Sequence, residues 1–225
     1  MSLWHNCNFT LGKNPLSLRT HPPRFFSPGV QRNSMGITER TENSRKLELY
    51  WKSTRKPGER IPSRSAFRVR QEIASLLPNL LIIEVLNNDI VFRLVGTGLT
   101  THHGIDITGK GYGDFSGPDQ VTRAVARVTA AHKAACGLLT IHEEEYGHGL
   151  SSTVEVAAFP LRGDANGETM MVLSATPIER GLAPKSETPL FLRPLTHIEY
   201  IDLGFGVPDD ADVLKNSSAQ AAQKS

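Results

Sequence analysis

"LLIIEVLNNDIVFRLVGTGLTTHHGIDITGKGYGDF", residues 80–115, decides the fold. Leu80–Leu86 is a continuous apolar run of strand length. Asn87, Asn88 and Asp89 are turn chemistry, because Asn and Asp bond their own backbone and tolerate positive φ. Ile90–Val95 returns as a second strand, so the two make a hairpin. Gly98, Gly104, Gly109, Gly111 and Gly113 then crowd residues 97–115. Such density excludes long elements and predicts short helical turns and loops.

Upstream, Leu47, Tyr50, Trp51 and Thr54 recur at helical spacing and predict an amphipathic helix over Glu39–Arg55. Thr38 is the expected cap, with Glu39 and Glu42 suited to the positive end of the helix dipole. Pro57-Gly58 ends it. A short helix over Val69–Leu77 should stop before Pro78, which cannot continue the bonding pattern. Downstream, Gly117-Pro118 opens a longer helix with proline at its first position. Val121, Val125, Val128, His132 and Ala135 share one face, and Gly137 is the expected terminator. Leu138–Tyr146, Thr153–Leu161 and Thr169–Pro177 read as strands joined by "GHGLSS" and "RGDANGE". "THIEYIDLG" at 196–204 adds a strand or packs outside. The order predicts an α+β fold: a five-stranded antiparallel sheet with helices on one face and an N-terminal amphipathic helix.

Six phrases of the chain fall in a fixed order: Tyr50-Trp51, "LLP" at 76–78, "FRLVGT" at 92–97, "GIDITG" at 104–109, "EVAAFPL" at 155–161 and the apolar strand "MMVLSATP" at 170–177. Together they resemble a family of small single-domain PAS proteins known mainly from alphaproteobacteria and formerly filed as a domain of unknown function. The resemblance covers residues 46–180. It implies a half-open glove, with the sheet as palm and the helical insert as fingers. It also implies a stand-alone sensory or protein-interaction module, regulatory in role, that binds a small molecule, a signalling partner or both.

Four regions are expected: a flexible tail over 1–37, the PAS-like domain with its N-terminal helix over 38–181, a C-terminal extension over 182–206, and a disordered tail over 207–225. Residues 1–34 carry Lys13, Arg19, Arg24 and Arg32 and no acidic side chain. Met35 reads as an alternative start. The whole chain of 225 residues has a formal charge of +2, which offers no general attraction for nucleic acid. No run of 18 apolar residues is present, so no membrane span is expected. Cys7 and Cys136 lie far apart, without metal-ligand spacing, which fits a reducing cytoplasm.

Catalytic signatures are absent: no GxSxG, Walker loop, HExxH or CxxC occurs. The candidate site is therefore a ligand pocket between palm and fingers. Its expected lining is Phe92, Leu94, Thr97, Leu99, His103, Phe115, Val128, His132, Ile141 and Val156, with Leu139, Val154 and Leu173 as further palm residues. The plain alternative is that these residues only fill a core. Haem ligation would need His102 or His103 to face the pocket. A cysteine-adduct flavin sensor would need a finger cysteine, and there is none. No cofactor is identified. On a strand, His142, Glu144 and Tyr146 share a face; the expectation is a solvated polar surface, not a metal set. His132 reads as a core histidine bonded to a backbone carbonyl. Leu47, Tyr50 and Trp51 are the expected contact of a homodimer. Two rival classes are a small lyase- or isomerase-like enzyme, requiring an acid–base pair such as His132 with a carboxylate, and a ligand-free structural domain.

Overall fold

The computed structural model describes residues 39–165 and 167–222. The expected tail over 1–37, and with it the alternative start at Met35, lies outside the described residues. Helix α1 spans Glu42–Thr54, and a 3-10 helix spans Gln71–Asn79. Strands β1 (Leu80–Leu86) and β2 (Asp89–Val95) follow, then helices α2 (Thr97–His103) and α3 (Pro118–Ala134). Strands β3 (Gly137–Tyr146), β4 (Leu150–Arg162) and β5 (Thr169–Leu182) complete the expected five. Two short strands, β6 (Leu190–Leu192) and β7 (His197–Ile201), extend the sheet, and helix α4 spans Asp210–Ala222.

All pairings between these strands are antiparallel, in the order β2-β1-β5-β4-β3-β6, with β7 also on β3. The β1–β2 turn is the two-residue hairpin that the asparagines foretold. Asn87 and Asn88 have φ of 52° and 62°, and Leu86 pairs with Asp89. Two successive left-handed residues match the twist of the flanking strands.

The sheet is covered on both faces. Leu81 and Ile83 of β1 point to the inner layer, with Phe92, Leu99 and Val128. Leu80 and Ile82 point to the outer layer, with Leu47, Trp51, Ile73 and Leu76. Burial on both sides is why β1 reads as unbroken apolar sequence. Trp51 is fully buried, and its indole N–H donates to the Pro160 carbonyl at 2.6 Å. Tyr50 and Leu47 are buried beside it. The three side chains expected to meet a partner are thus buried in the domain's own outer layer, Tyr50 against Phe67 at 5.2 Å between ring centroids. The stripe needed a surface, and the bare face of β4 and β5 lay nearest.

Several local expectations are corrected. The N-cap of α1 is Thr41, not Thr38; its Oγ1 accepts from the Ser44 N–H. The Thr41 amide and hydroxyl also donate to the buried Glu155 carboxylate of β4, which pins the helix start to the sheet. Pro78 lies inside the last turn of the 3-10 helix rather than beyond it. Ala135 (φ 57°), not Gly137, caps α3 in the left-handed region. Gly137 instead starts β3, where a Cβ would sit 3.0 Å from the Phe159 ring and 3.1 Å from the Ile201 Cβ. Residues 210–222, expected to be disordered, form α4. Asp210 at its start takes a bidentate pair from Arg127 of α3 at 2.9 and 2.7 Å, and the Tyr200 hydroxyl at 3.1 Å. Sparse apolar content hid a helix that docks partly through charge.

Candidate ligand cavity

Between the inner sheet face and the helices α2 and α3 lies a cavity of about 610 Å³. Its walls are largely apolar: Leu81, Ile83, Ile90, Phe92, Leu138, Val156, Leu173 and Ala175 from the sheet, Leu99 and Ile107 from the insert, Ala124 and Val128 from α3. At the solvent end stand Asp119, Arg123, Pro194 and Thr196, all exposed. Such a volume with few polar groups is typical of small-molecule sites.

Of the expected lining, Phe92, Leu99, His103, Val128 and Val156 face this space, as does Leu173. Leu94, Thr97, Phe115, His132 and Ile141 do not. Leu94 shares strand parity with Phe92, yet packs on the outer layer. Ile82 pairs with Leu94 and Ile83 with Phe92, so Arg93 is an extra residue that reverses the alternation. Thr97 is exposed at the start of α2. Phe115 is buried behind the wall, 6.3 Å from Phe92 between ring centroids. The His132 Nε2 donates to the Leu161 carbonyl at 3.0 Å, the backbone bond its apolar helix face suggested. Ile141 and Leu139 lie on the far side of β3, because Leu138, Thr140, His142 and Glu144 take the inner one. Val154 is buried in the inner layer beside the cavity.

The largest correction concerns "HEEEY". His142, Glu144 and Tyr146 do share a face, but it is the buried one, not a solvated surface. The Glu144 carboxylate accepts from the Tyr146 hydroxyl at 2.8 Å. The His103 Nε2 lies 3.2 Å from its Oε2, and the His142 Nε2 lies 3.4 Å from its Oε1. The Tyr146 ring stacks on His103 and on His148, at 5.9 and 5.6 Å between centroids. Burial works to raise the Glu144 carboxyl, but the two imidazoles outweigh it through hydrogen bonds and charge, and hold it well below the usual carboxylate range. The Tyr146 hydroxyl is pushed up, first by burial and then by the Glu144 charge. Burial likewise raises the Tyr112 hydroxyl.

Neighbouring groups are quieter. The His102 Nε2 meets the Ser152 hydroxyl at 3.2 Å, and burial lowers its pKa. Cys136 is a buried thiol pushed up to about 11 by burial, which removes it from nucleophilic roles near neutral pH. Among the described residues no group of three His, Cys, Asp or Glu side chains is placed to hold a metal ion. No helix of the described residues is long and apolar enough to cross a membrane. The arrangement offers an apolar box with one buried histidine–glutamate wall, whose carboxylate is held from behind by Tyr146.

The strand order, the helical insert and the cavity between them agree with the comparison to known families. A PAS domain family model matches residues 39–176, more than half of the chain. Nothing among the curated proteins matches it. The chain belongs to the PAS domain family.

Proposed function

We propose that this PAS domain is a sensory module of the cytoplasm that takes a small molecule into the inner cavity and passes the change to a signalling partner. The supporting observation is the cavity of about 610 Å³, walled by apolar side chains around a buried polar cluster. A fully packed core would leave no such space. Arg127 supports a route outward, since it lines the cavity and also holds Asp210 of α4. A ligand that moves Arg127 shifts the balance between docked and released α4, which is a population shift between two packings. Association with a second copy belongs to the same proposal. It uses surface other than Leu47, Tyr50 and Trp51, which the domain buries itself. Native mass spectrometry of the purified full chain is the test. A retained small molecule is expected, and its loss is expected in Ala158→Trp, which fills the cavity. A bare mass for the unsubstituted chain, with no binding from cell extract, sinks the proposal.

A second reading has one observation in its favour. The cavity holds an imidazole–carboxylate pair, His103 with Glu144, in the place where the enzyme alternative needed one. His132, the residue first suited to that role, is outside the cavity and bonded to the backbone. Chemical conversion of a bound molecule, abolished in His103→Asn with binding kept, would favour this reading over the sensor.

A further inference from the structure

We infer that the domain carries a second site, a basic groove at the C-terminal end of α3 that takes an acidic segment of a protein partner. The assignment rests on the partner of the proposed function and adds its chemistry; the cavity takes no part.

Charge is distributed unevenly along the chain. Residues 55–70, "RKPGERIPSRSAFRVR", hold six cationic side chains and one acidic one. The rest of residues 39–222 hold 14 cationic and 22 acidic side chains. The fold sets part of the basic segment against two further cations. Arg60, Lys133 and Arg162 line an open groove of about 380 Å³, with Glu59 as its one acidic residue and Ile61 and Ala135 as its apolar lining. All three cations are exposed. The Glu59 carboxylate lies 3.8 Å from Arg162 and accepts from the Lys56 amide at 3.2 Å. Arg60 and Lys133 have no ion pair among the described residues.

Ordering a long, mobile side chain costs binding energy. These cations are already held. The Arg60 Nη2 donates to the Ala134 carbonyl at 3.0 Å, and its guanidinium lies 5.1 Å from the Phe205 ring centroid. Arg55 lies at the same distance from that ring. The Arg162 N–H donates to the Pro62 carbonyl at 3.0 Å, and its carbonyl accepts from the Arg64 N–H at 2.8 Å. Lys133 stands in the last turn of α3, where a cation also suits the helix dipole. The bond to Ala134 uses one hydrogen of the Arg60 guanidinium, and the others remain for a carboxylate. Three placed cations over an apolar lining fit a run of carboxylates, because hydrogen bonds between charged groups are the strong ones.

Extent decides the class of partner. A nucleic-acid duplex or an anionic bilayer spreads past the groove and meets the acidic remainder of the domain. A short acidic segment meets the groove alone, since exposed charges beyond about 8 Å are largely screened at physiological salt.

Fluorescence anisotropy of the full chain with fluorescein-labelled Glu-Ala-Glu-Ala-Glu-Ala, at about 50 mM salt, tests this. The glutamate peptide should bind at least about tenfold more tightly than its glutamine counterpart. Lys133→Glu and Arg162→Glu should each weaken it at least about fivefold. Lys110→Glu makes the same charge change on an exposed residue of the insert and should leave binding within about twofold. In the unsubstituted chain the peptide should shift the amide resonances of Ile61, Lys133, Ala135 and Arg162, which locates the site without any variant. Equal binding of the two peptides, no binding, shifts elsewhere, or an equal loss in Lys110→Glu overturns the inference. So does tighter binding of a short DNA duplex or of phosphatidylglycerol vesicles. Each of these results leaves the cavity as a ligand site, which native mass spectrometry tests separately.

Discussion

His103 and Glu144 stand 41 residues apart in the chain and meet with 3.2 Å between Nε2 and Oε2. One lies at the end of α2 in the insert, and the other on the inner face of β3. The contact ties fingers to palm through a wholly buried carboxylate.

Removing that carboxylate leaves the Tyr146 hydroxyl and two imidazoles without their shared acceptor. Glu144→Ala should cost about 3–5 kcal/mol, the range for breaking a buried pair from one side. Glu144→Gln keeps an acceptor oxygen and should cost less. Urea denaturation reads both, and an unfolding midpoint for Glu144→Ala equal to the unsubstituted chain's would contradict the buried network.

The apolar stripe of α1 is a core element, not a dimer seam. Trp51→Ala should cost about 3–5 kcal/mol. Leu49, on the opposite side of the same helix and 69% exposed, should tolerate alanine within about 0.5 kcal/mol. Light scattering should give the same oligomeric mass for both variants. A change of mass without a change of stability in Trp51→Ala would restore the interface role.

Sequence disclosed the hairpin because Asn87 and Asn88 are among the few residues at ease with positive φ, and β1 because "LLIIEV" must bury both faces. It did not disclose the phase of β2, since a bulge at Arg93 has no signature of its own. Nor did it disclose the inner face of β3. A histidine and glutamates in succession look solvated until His103, in a separate segment, is brought alongside Glu144. The site was therefore half legible: Phe92, Leu99, His103, Val128 and Val156 follow from strand and helix parity, whereas His142 and Glu144 need the tertiary contact.

Stability should fall on mild acidification through His132. Its pKa is lowered by burial, against the opposing pull of the Leu161 carbonyl. The unfolded chain then binds a proton at pH values where the folded chain resists it. The stability is fully present above the ordinary value of 6.5 and declines as pH falls toward the lowered folded value. His102, also lowered by burial, adds to the same window. Glu144 acts at more acid pH: its depressed carboxyl contributes stability that is present above 4.5 and is lost as pH falls further. Denaturation midpoints at about pH 7.5 and about pH 5.5 should differ less in His132→Gln, whose amide can still donate to Leu161. An identical slope in both proteins would remove His132 from the account.

The dock of α4 should be local. Asp210→Ala removes the bidentate partner of Arg127, and hydrogen exchange over residues 210–218 should accelerate. The pair is half-buried and bidentate, so the global cost should fall between the roughly 1 kcal/mol of an exposed pair and the roughly 3 kcal/mol of a buried one. Unaltered exchange in α4 would show that packing alone holds it.

The central claim, that a small molecule enters between the inner sheet face and the fingers, is tested most directly by methyl NMR of the full chain titrated with organic extract from its expressing cells. The strands carry their own control, because neighbouring residues face opposite layers. Shifts are expected at Leu81, Ile83, Leu99, Val128 and Val156, with Leu47, Ile82, Leu139 and Val172 unmoved. Shifts confined to the outer set, or none in either, would contradict it.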